Sequence, residues 1–525
     1  LLLNAYKSSS SNIYVGYNAG YYNVSGIENV IIGYESVSQT TGNVNFRNVT
    51  TLGSNAGRFA TGSYNTFLGS FAGYGGNTSA PLNSGQYNTA VGHEALKGFT
   101  TGGDNVAIGY QAAESLTTGE LNVFVGKDAG TYSTVSSRAV GVGYRALARY
   151  GLSSTVTGAP VAIGFEAGHY ATGSTNVFVG YEAGKGGTTS APLSSGDQNV
   201  AIGYQALAGF TTGESNVAVG REAGHDITTG TGNTLVGNAA GDKITTAEYN
   251  AVFGAGALGA MAADADNNTA IGSFAMSSAN NVDAIDNVAI GAYTGTGGSG
   301  ALKRSIAIGK NALNSTAAND SLGQVAIGYN AGTSISSGVQ NTLVGYLAGD
   351  SLQAGGSNVM LGYNVDASAT DADNQIVIGV AISGGEDNQF TFGKASNIVQ
   401  NEFDTDAAWT RTSDVRKKRN IKDDKLGLDF INKLKPVTFQ WKPSNEFPKE
   451  WNEYSEENNM DLDATMHGMI AQDVKQALDD ADVDTFGGWD KGPDGRQNVS
   501  FEAFVLPLIK SVQDLSEKVK QLEAK

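Results

Sequence analysis

The chain has 525 residues, among them 71 glycines and no cysteine, and its formal net charge at pH 7 is −18. This acidic balance argues against nucleic-acid binding, so no nucleic-acid partner is predicted. The absence of cysteine excludes stabilisation by disulfides, and no apolar run is long enough to span a bilayer. The chain begins Leu1-Leu-Leu-Asn4, without methionine or a basic region, which predicts no signal peptide. We expect a fragment or a processed chain that lacks an N-terminal attachment region.

Residues 1–395 repeat a short apolar strand that ends at a glycine, as in Asn105-Val-Ala-Ile-Gly109. The commonest interval between these glycines, as from Gly109 to Gly126, is about 17 residues, and a fixed period of this kind indicates a stack of similar coils. Such coils bury little surface alone and share a continuous core when they stack. The fold is therefore predicted to be mainly β, a parallel β-roll or solenoid of 22 rungs whose closing glycines are 16, 33, 53, 69, 92, 109, 126, 143, 164, 180, 203, 220, 237, 254, 272, 291, 309, 328, 345, 362, 379 and 393.

Each rung is predicted to contain two short strands and two turns. In Val106-Ala107-Ile108, the alternation of side chains places valine and isoleucine on one face and alanine on the other. The glycine that follows marks a bend or a close approach to the neighbouring rung. At about 4.8 Å per rung, the stack would be on the order of 100 Å long.

Two recurrent polar features have a structural and a functional interpretation. Asparagine lies four residues before the glycine in 15 of the 22 rungs, and we interpret it as a ladder or turn residue in preference to a repeated binding site. The clusters Asp264–Asn267 and Asp371–Asn374 would offer oxygen ligands to calcium, but the glycine-rich calcium-roll repeat is absent. We interpret them as polar turns and predict no metal site and no cofactor.

A longer duplication lies within the rod, because the six glycines from 53 to 143 recur from 164 to 254, each shifted by the same interval along the chain. The duplicated stretch includes the similar segments 77–84 and 188–195, which are predicted to be loop insertions. Loops of this kind would protrude from the rod and offer a binding surface. The Val-Ala-Ile-Gly rungs resemble the β-roll heads of trimeric bacterial adhesins and similar repeats in phage tail fibres. That resemblance covers roughly residues 10–395 and implies a homotrimer.

The composition changes near residue 400, beyond which lie all four tryptophans. Residues 396–412 are polar and are interpreted as an irregular connector to a small α+β domain at 413–525. In this domain we expect two helices and two strands, the first helix within Leu426–Leu434, the second ending near Leu478, and the strands at Val437–Trp441 and Gln497–Phe501.

Ser413 and Lys418 are the candidate catalytic residues. A serine hydroxyl is a weak nucleophile until a base takes its proton, and a neutral lysine would serve as that base. Burial would favour the neutral amine, and so would the neighbouring cations Arg416, Lys417 and Arg419. From the residues alone, a basic surface loop with a serine cap is the preferred interpretation. His467 is a further candidate, although a lone histidine is more often structural.

Three motifs occur in the order that is typical of the endosialidase-type intramolecular chaperone of phage tail fibres and tailspikes: Ser413-Asp-Val-Arg-Lys-Lys-Arg-Asn-Ile421, Val437-Thr-Phe-Gln-Trp441 and Gly468-Met-Ile-Ala-Gln472. The resemblance covers almost all of 413–525, with Phe501 where the family pattern has tyrosine. It implies that Ser413 and Lys418 form a serine–lysine dyad. The domain would then act as a single-turnover serine endopeptidase that cuts the Thr412–Ser413 bond. The released piece would run from Ser413 to Lys525.

The C-terminal helix carries apolar residues at alternating spacings of four and three, which predicts a coiled coil at about 501–525. Valine at a and leucine at d favour two strands by composition, whereas the resemblance of both halves of the chain implies three. Pro507 predicts a kink or a late helix start. The residues expected to join the chains are Val505, Leu508, Val512, Leu515, Val519 and Leu522.

Together these resemblances imply a phage tail fibre that attaches to the host surface. Its C-terminal domain would hold three chains in register while the rod folds, a step that is otherwise slow and prone to aggregation. The expected partners are two further copies, other virion tail proteins, and a host receptor that is a glycan or an outer-membrane component. The fibre would be made in the host cytoplasm and act in the virion, outside the host cell.

Two alternatives remain at this point. A trimeric bacterial surface adhesin would end in a membrane-anchoring β-barrel, whereas this chain ends in a predicted soluble coiled coil. A polysaccharide-degrading tailspike would need a pair of carboxylates in a cleft. The acidic residues of the rod are scattered, so no separate catalytic activity is predicted for it.

Overall fold

The computed structural model divides the chain into two compact units, residues 1–412 and 413–525. The first unit is a β-solenoid with rungs of about 17 residues, and the second is a small α+β domain. The structure describes residues 11–38, 44–76, 83–152, 158–187, 193–260, 265–277, 284–297, 302–314, 321–403, 413–449, 451, 454–458 and 460–525.

Twenty-two strands, one in each rung, pair in parallel along the solenoid and form one continuous sheet. An antiparallel strand, β25, completes this sheet, and β17 and β19 form a separate two-residue pair. The strands are β1 Ile13–Val15, β2 Val30–Ile32, β3 Thr50–Leu52, β4 Thr66–Leu68, β5 Thr89–Val91, β6 Val106–Ile108, β7 Val123–Val125, β8 Val140–Val142, β9 Val161–Ile163, β10 Val177–Val179, β11 Val200–Ile202, β12 Val217–Val219, β13 Thr234–Val236, β14 Ala251–Phe253, β15 Thr269–Ile271, β16 Val288–Ile290, β17 Leu302–Lys303, β18 Ile306–Ile308, β19 Ser321–Leu322, β20 Val325–Ile327, β21 Thr342–Val344, β22 Val359–Asp366, β23 Ile376–Ser383, β24 Gln389–Lys394 and β25 Asn397–Glu402.

The predicted succession of rungs is confirmed, because each of the 22 predicted glycines follows or lies within a strand of the stack. The prediction of two strands per rung is wrong for the described part of the solenoid. There, apart from the last rungs, where β22 and β23 continue past their glycines, the second side carries only the β17–β19 pair and three isolated bridges. Its backbone is not extended, because alternate residues have positive φ, as at Gly109 (137°), Gln111 (54°) and Ala113 (52°). These residues still bond to neighbouring rungs: the Gln111 N–H donates to His93 O at 2.9 Å.

The central residue of each short strand points into the solenoid and its two neighbours point outward. Ala107 is fully buried, whereas Ile108 is 38% exposed. Central residues stack directly on one another, so Phe124 lies between Ala107 and Gly141. A Cβ atom at position 141 would lie 2.8 Å from the Phe124 ring, so only glycine leaves room for that ring. The core is therefore filled by large residues set beside small ones.

The asparagine column forms a buried amide ladder, as the structural interpretation predicts. The Asn105 Nδ2 donates to Asn88 Oδ1 at 3.1 Å and to Gly119 O at 2.9 Å. On the next rung, the Asn122 N–H donates to Asn105 Oδ1 at 3.1 Å. Each amide thus bonds to the rungs before and after it and satisfies backbone groups that would otherwise be buried without partners.

The acidic clusters serve as polar turns in the described residues. The Asp266 carboxylate accepts a hydrogen bond from Glu248 N at 2.7 Å, and the Asp373 carboxylate accepts one from Gly356 N at 2.6 Å. Both carboxylates therefore join consecutive rungs through backbone amides. Asp264, the first residue of the earlier cluster, lies outside the described residues.

The internal duplication is visible in the core. The ring centroids of Phe67 and Phe99 are 5.6 Å apart, and so are those of Phe178 and Phe210 at the shifted positions. Residues 77–82 and 188–192, the greater part of the predicted loop insertions, lie outside the described residues.

The interpretation of 396–412 as an irregular connector needs correction. Residues 397–402 form β25, which folds back and pairs antiparallel with β24. Without this pairing, β24 would expose a row of unpaired backbone groups at the end of the sheet. The solenoid therefore extends to about residue 402, and residues 404–412 lie outside the described part.

The second unit packs two antiparallel strand pairs against three helices. Its core contains Leu426, Phe430, Val474, Leu478 and Phe504. None of the helices in the described residues is long and apolar enough to cross a membrane. The elements are α1 Leu428–Ile431, β26 Pro436–Phe439, β27 Met466–Met469, α2 Ala471–Asp479, β28 Trp489–Lys491, β29 Gln497–Val499 and α3 Val505–Glu523, with 3-10 turns at Val415–Lys417, Ser444–Glu446 and Phe501–Phe504.

Candidate self-cleavage site

The segment that begins the second unit folds into a tight 3-10 turn. Asp414 caps this turn, because its carboxylate accepts a hydrogen bond from the Arg416 N–H at 2.8 Å. The Arg416 guanidinium folds back onto the same carboxylate, with Nη2 at 2.6 Å from Oδ2 and Nε at 3.0 Å from Oδ1. At the end of the turn, the Lys418 N–H donates to Val415 O at 3.0 Å. The turn thereby brings residue 418 back towards residue 413.

The turn places the two predicted catalytic side chains in contact. The Lys418 Nζ donates a hydrogen bond to the Ser413 Oγ at 2.5 Å. This distance is short enough for direct proton transfer between a base and a nucleophile. In the cleavage reaction, the neutral amine would instead accept the proton of the Ser413 hydroxyl. The structure thus brings Ser413 and Lys418 together, and their catalytic roles stay a prediction.

The charges of the turn are partly paired. The hydrogen bond from Arg416 lowers the pKa of the Asp414 carboxyl, and the same bond raises the pKa of the Arg416 guanidinium. Arg416 is exposed and Asp414 is only partly buried, so the bond organises the turn more than it stabilises the unit. Lys417 and Arg419 form no ion pair among the described residues. The turn therefore carries net positive charge beside the serine.

The burial predicted for Lys418 is not observed in the single chain. Ser413 and Lys418 are both exposed, as are nearly all residues up to Lys425. The reason is topological, because this segment precedes Leu426, the first residue of the core of the unit. Thr412, the other predicted partner in the scissile bond, lies outside the described residues.

His467 lies in β27, opposite Thr438 in β26, and its side chain is exposed. Within the described residues, no hydrogen bond joins His467 to Ser413 or Lys418. The geometry of the single chain therefore does not include it in the candidate site.

The predicted coiled-coil residues lie along one stripe of α3 and are all exposed. The helix itself is held to the unit by the carboxylate of Asp514, which accepts a hydrogen bond from the Leu428 N–H at 3.2 Å. Pro507 lies in the first turn of α3, where its missing N–H would have no helical partner. The predicted late helix start is confirmed, because α3 begins at Val505. In the single chain the apolar stripe is uncovered, and its residues are Val505, Leu508, Val512, Leu515, Val519 and Leu522.

Residues 413–483 match the family model of peptidase S74, described as chaperone of endosialidase. The second unit therefore contains a chaperone-of-endosialidase domain. The match begins at Ser413, where the second compact unit also begins, and the S74 domain contains the 3-10 turn, α1, β26, β27 and α2. No curated protein and no solved structure matches the chain.

The role of Asp414 in the S74 domain was not predicted from the sequence. An aspartate immediately before a short helical turn is a common N-cap residue. That pattern would have shown why residues 413 and 418 approach each other across only four intervening residues.

Proposed function

We propose that the chain is a phage tail fibre whose S74 domain drives trimerisation and folding of the solenoid and is then released by cleavage of the Thr412–Ser413 bond. The observation that carries this proposal is the 2.5 Å contact between Lys418 Nζ and Ser413 Oγ at the first residues of a chaperone-of-endosialidase domain. The fibre would attach to a host surface receptor, a glycan or an outer-membrane component, and would join other tail proteins in the virion.

The cleavage chemistry can be written from the residues of the turn. The neutral amine of Lys418 takes the proton of the Ser413 hydroxyl, and the oxygen attacks the carbonyl carbon of Thr412. The peptide C–N bond breaks, the amine of Ser413 takes the proton back, and an ester links Thr412 to the serine oxygen. Water then hydrolyses this ester, which leaves a carboxylate on Thr412 and restores the serine hydroxyl.

Two uncovered apolar surfaces support a homotrimer. One is the stripe on α3. The other, which we call the strand face, consists of the residue before each closing glycine and the residue after it. Patches of this extent on a single chain indicate a protein interface, and a partner for the strand face must repeat at the same rung spacing, as another copy does. Exposed members of the strand face include Leu52, Leu68, Ile108, Tyr110, Ile163, Phe165, Tyr181, Ile202, Tyr204, Phe253, Ile327, Tyr329, Tyr346, Leu361 and Tyr363.

Cleavage is tested by denaturing mass analysis of the protein after folding. We expect the wild-type chain to yield two pieces that end at Thr412 and begin at Ser413, and the Ser413→Ala chain to remain intact. Lys418→Arg should also remain intact, because a guanidinium does not act as a base at neutral pH. Lys422→Ala removes an exposed lysine outside the turn and should leave cleavage unchanged. A wild-type chain that stays intact under folding conditions, or a Ser413→Ala chain that is cut, would contradict the proposal.

A further inference from the structure

Arg149 lies between two tyrosine rings on the wall of the solenoid. Its Cζ is 5.2 Å from the centroid of the Tyr132 ring and 5.6 Å from that of the Tyr170 ring. The three residues occupy the same position on successive rungs, six residues beyond glycines 126, 143 and 164. We call them the Tyr–Arg–Tyr triad. On the flanking rungs this position holds Ser115 and Gly186, so the triad stands between two small residues.

The triad faces away from the core. Ala148 and Tyr150, on either side of Arg149 in the chain, are fully buried, so the arginine side chain between them points to the outside of the rung. Arg149 is half-buried and Tyr132 is 49% exposed. The position lies seven residues past the end of the strand, so the triad is outside the strand face that the proposed trimer would cover.

Arg149 is a cation without a counter-charge in the described part of the solenoid. Its Nε is buried and has no hydrogen-bond partner, and the side chain makes no ion pair among the described residues. The nearby cations are paired: Arg145 lies 3.6 Å from both Asp128 and Glu166, and Lys185 lies 2.7 Å from Glu166. A half-buried charge without a partner destabilises the fold unless a ligand compensates it.

The stacked rings restrict what Arg149 can bind. Because tyrosine rings flank the guanidinium on the two neighbouring rungs, a ligand would reach its N–H groups from the outside of the rung. A carboxylate matches this fork with two parallel hydrogen bonds. The ring of Tyr170 is itself held by the buried His169, whose ring centroid is 4.2 Å away. The site is therefore ordered before a ligand arrives, which lowers the entropic cost of binding.

We propose that the Tyr–Arg–Tyr triad binds an acidic saccharide, whose carboxylate accepts hydrogen bonds from Arg149 and whose sugar rings contact Tyr132 and Tyr170. The inference rests on the proposed function and deepens it, since it names the class of surface glycan that the fibre would recognise. A saccharide chain running along the solenoid would pass over Ser115 or Gly186, where no large side chain obstructs it.

Titration calorimetry of the folded fibre with three purified probes tests the site: an oligogalacturonate, which carries carboxylates, a phosphorylated oligosaccharide, and neutral dextran. We expect the oligogalacturonate to bind and the dextran not to bind. Arg149→Gln should weaken binding roughly ten- to a hundredfold, the usual effect of losing hydrogen bonds to a charged group. Arg149→Lys should also bind weakly, because an ammonium cannot reproduce the planar fork. Arg138→Gln removes an exposed arginine of the preceding rung and should bind like the wild type.

Unchanged binding by Arg149→Gln, or no binding of the oligogalacturonate by the wild type, would overturn the proposal. Binding of the phosphorylated probe alone would overturn the assignment to a carboxylate. Tyr170→Leu keeps the positive charge of Arg149 but removes one of the two flanking rings. It should weaken binding, whereas electrostatic attraction alone would leave binding unchanged. Native mass and cleavage are measured on the same preparations. If the protein trimerises and cleaves itself but does not bind the acidic probe, the proposed saccharide site is rejected. The proposed chaperone function is not affected by that result.

Discussion

His169 shows how burial controls a single residue of the solenoid. Only 5% of its surface is exposed, and burial lowers its pKa to about 4. Glu166 opposes this shift, with Oε1 at 3.7 Å from the His169 Nδ1, while three nearby cations reinforce it. The histidine is therefore neutral in the folded solenoid at neutral pH, and it supports the ring of Tyr170 as an uncharged side chain.

The solenoid should lose stability through His169 as the pH falls from about 6.5 towards about 4. In this window the unfolded chain binds a proton at His169 that the folded chain does not, so protonation favours unfolding. The contribution is fully present above about pH 6.5. Thermal unfolding at about pH 7.5 and about pH 5 should show a smaller loss for His169→Gln than for the wild type. Equal losses in the two proteins would contradict the assignment.

At the scale of elements, the asparagine ladder and the glycines connect rungs that, as far as β21, have only three residues in the continuous sheet. A Cβ atom at Gly126 would lie 2.4 Å from Gly143 O, and the φ of Gly126 is 136°. Both facts exclude other residues at the bend. The ladder carries hydrogen bonds on one side of the strand and the bend allows close contact on the other. Short strands are sufficient because every rung is bonded on both sides.

Asn122→Ala should destabilise the rungs around it. The Asn122 Nδ2 donates to Asn105 Oδ1 at 2.9 Å and to Ser136 O at 2.7 Å, and its Oδ1 accepts from Ala139 N at 2.9 Å. Each buried group left without a partner costs about 1–3 kcal/mol. We expect a lower thermal midpoint and faster hydrogen exchange at the Ala139 amide.

Gln86→Ala is the control for the ladder, because Gln86 also carries an amide, is exposed and lies outside the strand face. It should leave both measurements close to those of the wild type. If Asn122→Ala and Gln86→Ala behaved alike, the ladder would not be a source of stability.

At the scale of the whole molecule, the proposed release of the S74 domain makes folding a one-way process. The domain would bring three chains together before their rungs pair, since parallel pairing in register is slow. After cleavage, an unfolded solenoid chain no longer carries the domain that aligned it. The mature fibre would then persist because its unfolding is slow, which is kinetic stability.

Refolding measurements distinguish cleaved from uncleaved protein. Wild-type fibre that has been cleaved, unfolded in denaturant and separated from its C-terminal piece should not recover the trimer on dilution. The Ser413→Ala protein, which keeps the domain, should recover it, as judged by native mass. Ser413→Ala with Leu515→Gln, which places a polar residue in the exposed stripe of α3, should fail to recover. Recovery of trimer by the cleaved solenoid alone would contradict the chaperone role.

Much of the solenoid could be predicted from local sequence, because a glycine at a regular interval and a buried residue in the middle of each strand are local requirements. The backbone conformation on the second side of the rung could not be predicted in this way. Gln111 and Ala113 adopt positive φ although neither residue favours it, because hydrogen bonds to the neighbouring rungs hold them there. The strand β25 was missed for a similar reason, since it forms only because β24 offers an open edge.

For the candidate site, the sequence by itself determined the residues and their order: Ser413, Lys418 and the motifs that resemble a chaperone domain. Only the tertiary structure decided that both side chains are exposed in a single chain and that Arg149 lies between two tyrosine rings. Contacts of this kind join residues from different turns or rungs. Their energies depend on distances in space, which a one-dimensional pattern does not specify.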